Sequence, residues 1–414
     1  MVLAFTFPGQ GSLRPGMGAP WVEHPSWELV KDASNVVGRD LSWLLLEAGE
    51  DDLFETRNAQ LGTFVLSLVV LDAVERLGVA PSVCAGHSLG EYSALVAAGV
   101  VGFEDGLRLV AERGEAMQDV ADNSPGRMVA LLGIGDDDAE VACQRAEEEV
   151  WVANYNAPGQ VVIAGTAQGV EAAVAIARDM GVRKTVQLAV RGPFHTPLLL
   201  PARPRLRKAI ADVNFSDSDI AVVANVDAKA HRSGSDWPGL ASAQLCSPVR
   251  WHQSLATTLD LVSGGNGNAE PVFVELGGGG VLTGITKRTL RETRAISVAR
   301  PEDLDGLVEL LGGQSLAPKK PTQQGEHLYV SERIVVSPTT GVFQPIDRFA
   351  VLAPGRSQDQ EGIPLAVGDL LGTVGQTEVR SAFAGRLVGL LAHAGERVAD
   401  SQPLAWLRAS EVAQ

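Results

Sequence analysis

The stretch Val83-Cys-Ala-Gly-His-Ser-Leu-Gly-Glu-Tyr-Ser-Ala-Leu-Val-Ala-Ala-Gly99 decides the fold. It reads as a short apolar strand, a tight turn and a helix that ends at its last glycine. The turn holds Ser88 between Gly86 and Gly90, which is the Gly-x-Ser-x-Gly pattern of a nucleophile elbow. Glycines are needed on both sides because a serine in so sharp a strand-to-helix turn crowds its neighbours. Since the helix N-terminus would stabilise a developing oxyanion, the stretch predicts acyl chemistry at Ser88.

Composition restricts the classes of partner. The chain has 414 residues, 45% of them hydrophobic and 20% charged, which is ordinary globular composition and enough for two or three domains. The formal net charge of -16 argues against nucleic acid and against anionic membranes, because phosphate binding requires clustered Lys and Arg.

Cysteine usage and hydropathy bear on the compartment. Cys84, Cys143 and Cys246 lie far apart, so the sequence predicts neither a disulfide framework nor a metal site. We find no stretch of membrane-spanning length in the sequence. A cytoplasmic location is therefore expected.

Predicted elements on either side of the elbow build an α/β domain. A strand over residues 2–7 leads into the loop Phe7-Pro-Gly-Gln-Gly-Ser12, whose glycine spacing fits neither a P-loop nor a dinucleotide fingerprint. Residues 127–190 are predicted as strand, helix, two strands, helix and strand, which indicates a ferredoxin-like subdomain inserted into a larger one. Periodicity predicts further helices over 26–48, 60–77, 103–120 and 248–261, and further strands over 220–226, 272–276 and 294–298.

The C-terminal part of the chain has a different character. Residues 312–326 have the composition of a linker, and residues 327–414 read as an all-β module with a loose internal repeat. The module resembles the biotinyl/lipoyl barrel-sandwich domains, which carry their cofactor on a lysine at a hairpin tip. Residues 373–377 occupy the predicted tip, and no lysine follows Lys320. We therefore expect neither biotin nor lipoate, and a role in docking, self-association or recruitment of a pathway partner.

A collinear series of motifs extends through the first three quarters of the chain. Its members are Phe7-Pro-Gly-Gln-Gly-Ser12, Gly86-His-Ser-Leu-Gly-Glu-Tyr-Ser-Ala-Leu95, Arg113-Gly114, Asn156-Ala-Pro-Gly-Gln-Val-Val-Ile-Ala-Gly165, His195, Asn225-Val-Asp227, Gln244-Leu245 and Val281-Leu-Thr-Gly284. In this order they resemble the malonyl-CoA:acyl carrier protein transacylases, the FabD-like acyltransferases of fatty acid and polyketide synthesis. The resemblance covers residues 1 to about 310.

The resemblance implies a fold, a reaction and partners. Residues 1–311 would form an acyltransferase domain, with an α/β-hydrolase-like large subdomain that carries the ferredoxin-like insertion. The implied reaction moves a malonyl group from coenzyme A to the phosphopantetheine thiol of an acyl carrier protein, through an ester on Ser88. An acyl-thioester hydrolase with the same serine and histidine is the alternative, because water reaching the ester would release free acid.

The resemblance also assigns roles to individual residues. Ser88 would be the nucleophile and His195 its general base, with the imidazole oriented by a carbonyl oxygen near Gln244. The backbone N–H groups of Leu89 and Gln10 would form the oxyanion hole.

Four residues would contact the acyl group or its surroundings. Arg113 would pair with the free malonyl carboxylate, since a guanidinium fork matches two oxygens. Asn156 would line the pocket, and His87, beside the nucleophile, would either line it or support the elbow. Phe194 stands where free-standing bacterial members usually carry Ser, and a Phe-His pair accompanies malonyl selection in modular synthases. We therefore expect malonyl rather than methylmalonyl.

Overall fold

The structure is a computed structural model that describes residues 1–264, 270–311, 332–350, 363–381, 384–399 and 402–408. The chain forms two compact units, one of residues 1–71 and 81–307 and the other of residues 72–80 and 308–414. The predicted linker, residues 312–326, lies outside the described residues.

Helices and strands alternate along residues 1–311. The strands are β1 (Val2–Phe7), β2 (Val83–Gly86), β3 (Arg127–Leu132), β4 (Val150–Ala157), β5 (Gln160–Gly165), β6 (Lys184–Gln187), β7 (Ala221–Val223), β8 (Ala230–His231), β9 (Pro271–Leu276) and β10 (Arg294–Val298). The helices are α1 (Glu28–Val37), α2 (Leu41–Leu46), α3 (Glu50–Phe54), α4 (Thr56–Arg76), α5 (Gly90–Ala97), α6 (Phe103–Asn123), α7 (Asp136–Arg145), α8 (Ala167–Asp179), α9 (Arg203–Ala211), α10 (Trp237–Gln244), α11 (Trp251–Ser263), α12 (Val281–Thr289) and α13 (Asp303–Leu310).

The large subdomain is built on a six-stranded sheet in the order β10-β9-β1-β2-β7-β8. All neighbouring strands are parallel except β8, which pairs antiparallel with β7. Phe7 pairs with Gly86, so the ends of β1 and β2 lie side by side. The loop after β1 and the elbow after β2 therefore leave the carboxyl edge of the sheet together, which is where open parallel sheets place their sites.

The small subdomain, residues 127–187, confirms the ferredoxin-like prediction. Its four-stranded antiparallel sheet has the order β4-β5-β3-β6. Helices α7 and α8 cover one face, because alternate residues of the strands are apolar there and bury a common core. The insertion enters and leaves side by side, with the Gly126 N–H donating to the Arg191 carbonyl over 3.1 Å.

One further contact ties the small subdomain to the large one. Tyr155 N–H donates to the Val249 carbonyl, and Val249 N–H donates to the Ala153 carbonyl, each over 2.9 Å. The backbone of the large subdomain at Val249, just before α11, thus pairs with the edge of β4.

Two expectations about helices are wrong. The helix expected over residues 26–48 is interrupted, because Gly38 adopts a φ of 65° and ends α1, while the Asp40 carboxylate accepts from Trp43 N–H and begins α2. The sequence-based statement that no stretch has membrane-spanning length also fails, since α4 is long and apolar enough. The apolar window of α4 is 89% buried within the protein, however, which is typical of a core helix.

The described residues of the second unit after residue 331 are mainly β-strands, as predicted, with one short helix among them. Two four-stranded sheets have the orders β11-β18-β16-β13 and β15-β14-β12-β17. The strands β14 and β15 form the hairpin in which Val374 pairs with Thr377. The elements are β11 (Glu332–Val336), β12 (Gly341–Pro345), α14 (Asp347–Ala350), β13 (Ile363–Leu365), β14 (Leu370–Val374), β15 (Thr377–Arg380), β16 (Gly385–Leu390), β17 (Arg397–Val398) and β18 (Pro403–Arg408).

Candidate active site

The elbow has the strained geometry that its glycines predict. Ser88 has a φ of 55°, in the left-handed region that non-glycine residues rarely adopt. A Cβ on Gly86 would lie 1.9 Å from the Gly90 carbonyl carbon, and a Cβ on Gly90 would lie 2.0 Å from the Phe7 carbonyl oxygen. Both positions therefore exclude any side chain. Helix α5 begins at once after the turn, so its N-terminal end faces the Ser88 hydroxyl.

His195 completes a serine–histidine pair. Its Nε2 lies 2.6 Å from Ser88 Oγ, and its Nδ1 lies 3.0 Å from the Gln244 carbonyl oxygen. A carbonyl oxygen can only accept, so Nδ1 carries the proton and Nε2 is left to accept from the serine hydroxyl. The backbone carbonyl thus fixes the basic tautomer, which is the role that an aspartate has in a catalytic triad.

The surroundings keep His195 neutral. The side chain is buried, with 5% of its surface exposed. Burial and, to a smaller extent, the positive charge of Arg113 lower the pKa of His195 to about 3, although the hydrogen bond to the Gln244 carbonyl opposes the shift. At neutral pH the imidazole is therefore unprotonated and able to take the serine proton. The left-handed φ of 62° at His195 is supported by Thr196 Oγ1, which donates to the Pro193 carbonyl over 2.6 Å.

The two backbone N–H groups expected in the oxyanion hole are unoccupied. Within the described residues, neither Leu89 N–H nor Gln10 N–H donates to another protein group. The loop that carries Gln10 lies against the elbow, since a Cβ on Gly9 would be 2.6 Å from the His87 carbonyl oxygen. Both amides are thus close to Ser88 and available to an oxyanion.

Arg113 lies beside the nucleophile. It is fully buried on α6, and its Nη2 donates to Ser88 Oγ over 3.3 Å and to Gln244 Oε1 over 3.0 Å. Its Nη1 donates to Gln60 Oε1 over 2.7 Å, and its Nε has no hydrogen-bond partner. The ring of Tyr92 lies 5.4 Å from its guanidinium carbon.

This arrangement leaves the charge of Arg113 incompletely compensated. Among the described residues its hydrogen-bond acceptors are neutral amides and the serine hydroxyl, and no carboxylate forms an ion pair with it. Burial accordingly lowers the pKa of Arg113 from its ordinary value. A buried cation with spare donors is a site for an anionic substrate group.

Comparison with known proteins identifies the family. The family model described as acyl transferase domain matches residues 4–304. The chain belongs to the acyl transferase family. Its relatives include the malonyl CoA-acyl carrier protein transacylases of Bacillus subtilis, 37% identical over 75% of this chain and 97% of that protein, and of Escherichia coli K12, 37% identical over 74% and 99%. The polyketide biosynthesis protein ThaF of Burkholderia thailandensis is 36% identical over 77% of this chain but only 27% of its own length.

Solved structures agree. The malonyl transacylase of Streptococcus pneumoniae superposes with a TM-score of 0.69 at 37% identity, over 74% of this chain and 99% of that one. A malonyl-transacylase solved in complex with the acyl carrier protein of a type II polyketide synthase gives 0.70 at 34% identity, over 75% and 100%. The acyltransferase fold with its ferredoxin-like subdomain is thereby confirmed.

The acyltransferase site opens into a cleft of about 600 Å³. Gln10, Ser88 and His195 line it on the side of the large subdomain, and Met128, Ala130 and Val162 line it from the small subdomain. The serine–histidine pair therefore lines a cleft between the two subdomains.

The three expected pocket residues also lie on this cleft. His87 Nε2 and Asn156 Oδ1 are 2.8 Å apart, a contact that joins the elbow to β4. Burial lowers the pKa of His87, so its ring is neutral and Nε2–H donates to the amide oxygen. Phe194 is 4% exposed and precedes His195 at the cleft wall.

Gln244 has more contacts than the sequence suggests. Its carbonyl holds His195, its Oε1 accepts from Arg113, and its Nε2 donates to the Ser88 carbonyl over 2.7 Å. One residue therefore touches the base, the cation and the nucleophile.

Three residues of the acyltransferase site were missed. Gln60 holds Arg113, Asn225 holds the elbow, and Glu91 accepts from Asn225 N–H. Gln60 gave no local signal, because it lies among other polar residues in the first turns of α4. Glu91 and Asn225 belong to the quoted motifs, but no role followed for Glu91, since an acidic residue in the first turn of a helix is usually exposed, whereas this one is fully buried.

No metal centre accompanies the site. Among the residues that the structure describes, no group of three or more His, Cys, Asp or Glu side chains could hold a metal ion.

Proposed function

We propose that the chain transfers a malonyl group from coenzyme A to the phosphopantetheine thiol of an acyl carrier protein, in fatty acid or polyketide biosynthesis. The observation that carries the proposal is Arg113, a buried cation 3.3 Å from the nucleophile's oxygen without a carboxylate partner among the described residues. A malonyl group bound as an ester on Ser88 brings its free carboxylate to that cation.

The first half-reaction acylates Ser88. As the Ser88 oxygen attacks the thioester carbonyl carbon, His195 Nε2 takes the hydroxyl proton, and the Gln244 carbonyl stabilises the imidazolium that forms. The N–H groups of Leu89 and Gln10 bind the oxyanion. Collapse of the tetrahedral intermediate breaks the carbon–sulfur bond, and the coenzyme A thiolate receives the proton from His195.

The second half-reaction reverses these roles. The carrier thiol gives its proton to His195 Nε2 as its sulfur attacks the ester carbonyl, and the Ser88 oxygen leaves and recovers the proton. The cleft between the subdomains suits a thioester arm, because it encloses about 600 Å³ and both Ser88 and His195 line it. Arg113 holds the malonyl carboxylate through both steps.

The acyl group is chosen at two positions. Arg113 selects a dicarboxylic acyl group, because a monocarboxylic chain leaves the buried cation without an anion. Phe194 is buried at the cleft wall, and its ring fills space that an α-methyl branch would need, which favours malonyl over methylmalonyl.

We extend the proposal to the organisation of the chain. Residues 1–311 act as the acyltransferase domain in the cytoplasm, and residues 327–414 form a biotinyl/lipoyl-like module without cofactor. The β14–β15 hairpin supports the second point, because its tip is Gly375-Gln376 and offers no amine for an amide bond. The module then serves docking, self-association or recruitment.

The test is the intact mass of the purified protein after brief exposure to malonyl-CoA, acetyl-CoA or methylmalonyl-CoA. We expect a malonyl-sized adduct, absent in Ser88→Ala, that disappears when a phosphopantetheinylated acyl carrier protein is added and reappears on the carrier. The starting mass also reports whether the module carries biotin or lipoate.

Other outcomes would contradict the proposal. Free malonate without acylated carrier would identify a hydrolase. An adduct that forms equally well from all three thioesters would remove the selective role of Arg113.

A further inference from the structure

Asn225 contacts both sides of the elbow without touching the substrate cleft. It follows β7, the neighbour of β2, and is fully buried. Its Nδ2 donates to the Gly86 carbonyl over 2.7 Å, and its Oδ1 accepts from Ser88 N–H over 2.8 Å. The amide orientation is fixed by its partners, because a backbone N–H can only donate and a carbonyl can only accept.

The elbow needs such support. A non-glycine residue with a φ of 55° persists only when its surroundings over-determine it. Asn225 holds the backbone before and at Ser88, and Gln244 Nε2 holds the Ser88 carbonyl. Three polar backbone groups of the turn are therefore bonded to side chains from outside it.

These contacts also decide which amides face the oxyanion. Ser88 N–H is occupied by Asn225, while Leu89 N–H has no partner among the described residues. Loss of Asn225 would free Ser88 N–H and relax the turn, so the Leu89 donor and the Ser88 hydroxyl would lose their fixed relation.

Asn225 is itself held by contacts with Glu91 and Gln244. Its backbone N–H donates to Glu91 Oε2 over 2.6 Å, and Glu91 is fully buried in the first turn of α5. The side chain of Gln244 lies 3.4 Å from Asn225 Oδ1 on the other side. The position of the amide is thus set by groups on α5 and α10 as well as by its own loop.

We propose that Asn225 is a positioning residue that holds the nucleophile elbow in its strained form and reserves Leu89 N–H for the oxyanion. The inference rests on the proposed function. It predicts that Asn225 affects the rate of acyl transfer in both directions and leaves the affinity for the thioester unchanged.

The experiment compares Asn225→Ala and Asn225→Asp with the wild type. Misplacement of reacting groups by about 1 Å costs on the order of 100-fold in rate. We therefore expect kcat for Asn225→Ala to fall about 100-fold with KM for malonyl-CoA unchanged. Labelling of Ser88 by a fluorophosphonate, which needs no malonyl binding, should slow by a similar factor.

Asn225→Asp adds a readout that a merely structural role would not move. A carboxylate still accepts from Ser88 N–H but cannot donate to the Gly86 carbonyl, whereas the protonated acid can. The ratio of the kcat of Asn225→Asp to that of the wild type should therefore rise as the pH falls. The same ratio for Asn225→Ala should not change with pH. The ionisable groups around this position are Glu91 and Tyr92 on α5, Arg113 on α6, Asp227 on the loop of Asn225, and His87 and His195 beside Ser88.

The control and the outcomes separate the possibilities. Asp227→Asn changes the same loop, where Asp227 contacts His231, and should keep the wild-type kcat. The inference is overturned if both Asn225 variants keep the wild-type kcat, or if only KM rises. It is also overturned if the kcat of Asn225→Asp relative to wild type does not change with pH, or if Asp227→Asn is as slow as the Asn225 variants. A wild type that forms no malonyl adduct but is labelled by the fluorophosphonate would refute the proposed function instead. If Asn225→Ala does not fold, the pH ratio of Asn225→Asp decides.

Discussion

Replacement of Arg113 tests the proposed selectivity most directly. Arg113→Met removes the charge while keeping an unbranched side chain of similar length in the buried site. Malonyl-CoA should lose the two hydrogen bonds between its carboxylate and the guanidinium. Acetyl-CoA has no carboxylate, so its loss should be small.

The magnitude follows from the contacts. A hydrogen bond to a charged group contributes about 1.5–3 kcal/mol, so a bidentate pair contributes about 3–6 kcal/mol. The kcat/KM for malonyl-CoA should therefore fall about 10² to 10⁴-fold. The 3.3 Å contact between Arg113 and Ser88 Oγ is long, and its loss should cost acetyl transfer less than about tenfold.

Arg113→Lys is the matched control, because it keeps the charge but not the planar fork. A lysine ammonium can make only some of the hydrogen bonds that the guanidinium donates to the substrate carboxylate, Gln60 and Gln244. We expect an intermediate loss for malonyl-CoA.

The assay is a competition of the two thioesters for one acyl carrier protein, with intact mass giving the ratio of malonyl to acetyl carrier. Thermal unfolding of each variant establishes that it is folded. An equal fold-loss for malonyl and acetyl in Arg113→Met would refute the reasoning, because the arginine would then serve the nucleophile or the fold and not the carboxylate.

Two further predictions concern pH. Because the pKa of His195 is lowered to about 3, its imidazole is unprotonated from pH 5 to pH 8. The rate at which malonyl-CoA acylates Ser88, measured by stopped flow, should therefore not fall through protonation of His195 over this range. A rate that falls to half near pH 6.5 would contradict this. Because burial raises the pKa of Glu91 to about 8, its contribution to stability is present below the unfolded value of 4.5 and is lost as the pH rises through 8. Urea unfolding of wild type and Glu91→Gln should therefore show the wild type losing stability relative to the variant as the pH rises from 4.5 to about 8, and a constant difference over that range would refute the prediction.

The sequence predicted the parts of the fold that local rules determine. The elbow, β1, β2 and the ferredoxin-like order follow from glycine spacing and from hydrophobic period, and their bounds are close to those observed. The interruption of the first long helix was missed, because Gly38 and Asp40 act through a left-handed turn and a cap that periodicity does not register. The burial of α4 was also beyond reach, since composition alone does not separate a core helix from a membrane span.

The candidate site was predicted unevenly for a physical reason. Ser88 can be recognised from the glycines of its own turn. The structure places His195, Gln244 and Arg113 around it. The contacts of Ser88 with His195 and Gln244 join residues 107 and 156 positions apart in the sequence, and no local pattern encodes them. Asn225 and Glu91 act on the backbone of the elbow, and such supporting contacts appear only when the sheet brings β2 and β7 together.

The side-by-side entry and exit of the small subdomain at Gly126 and Arg191 makes it an exchangeable cassette. A graft between relatives cut at these two positions would replace the cleft wall formed by Met128, Ala130 and Val162, while Ser88, His195 and Arg113 stay with the recipient. The contacts that join the cassette to the large subdomain have to be preserved, among them the backbone pairing of β4 with Val249 and the contact between His87 and Asn156. One wall of the cleft can therefore diverge within a single continuous segment of the gene, while the reacting residues lie in the segments before and after it.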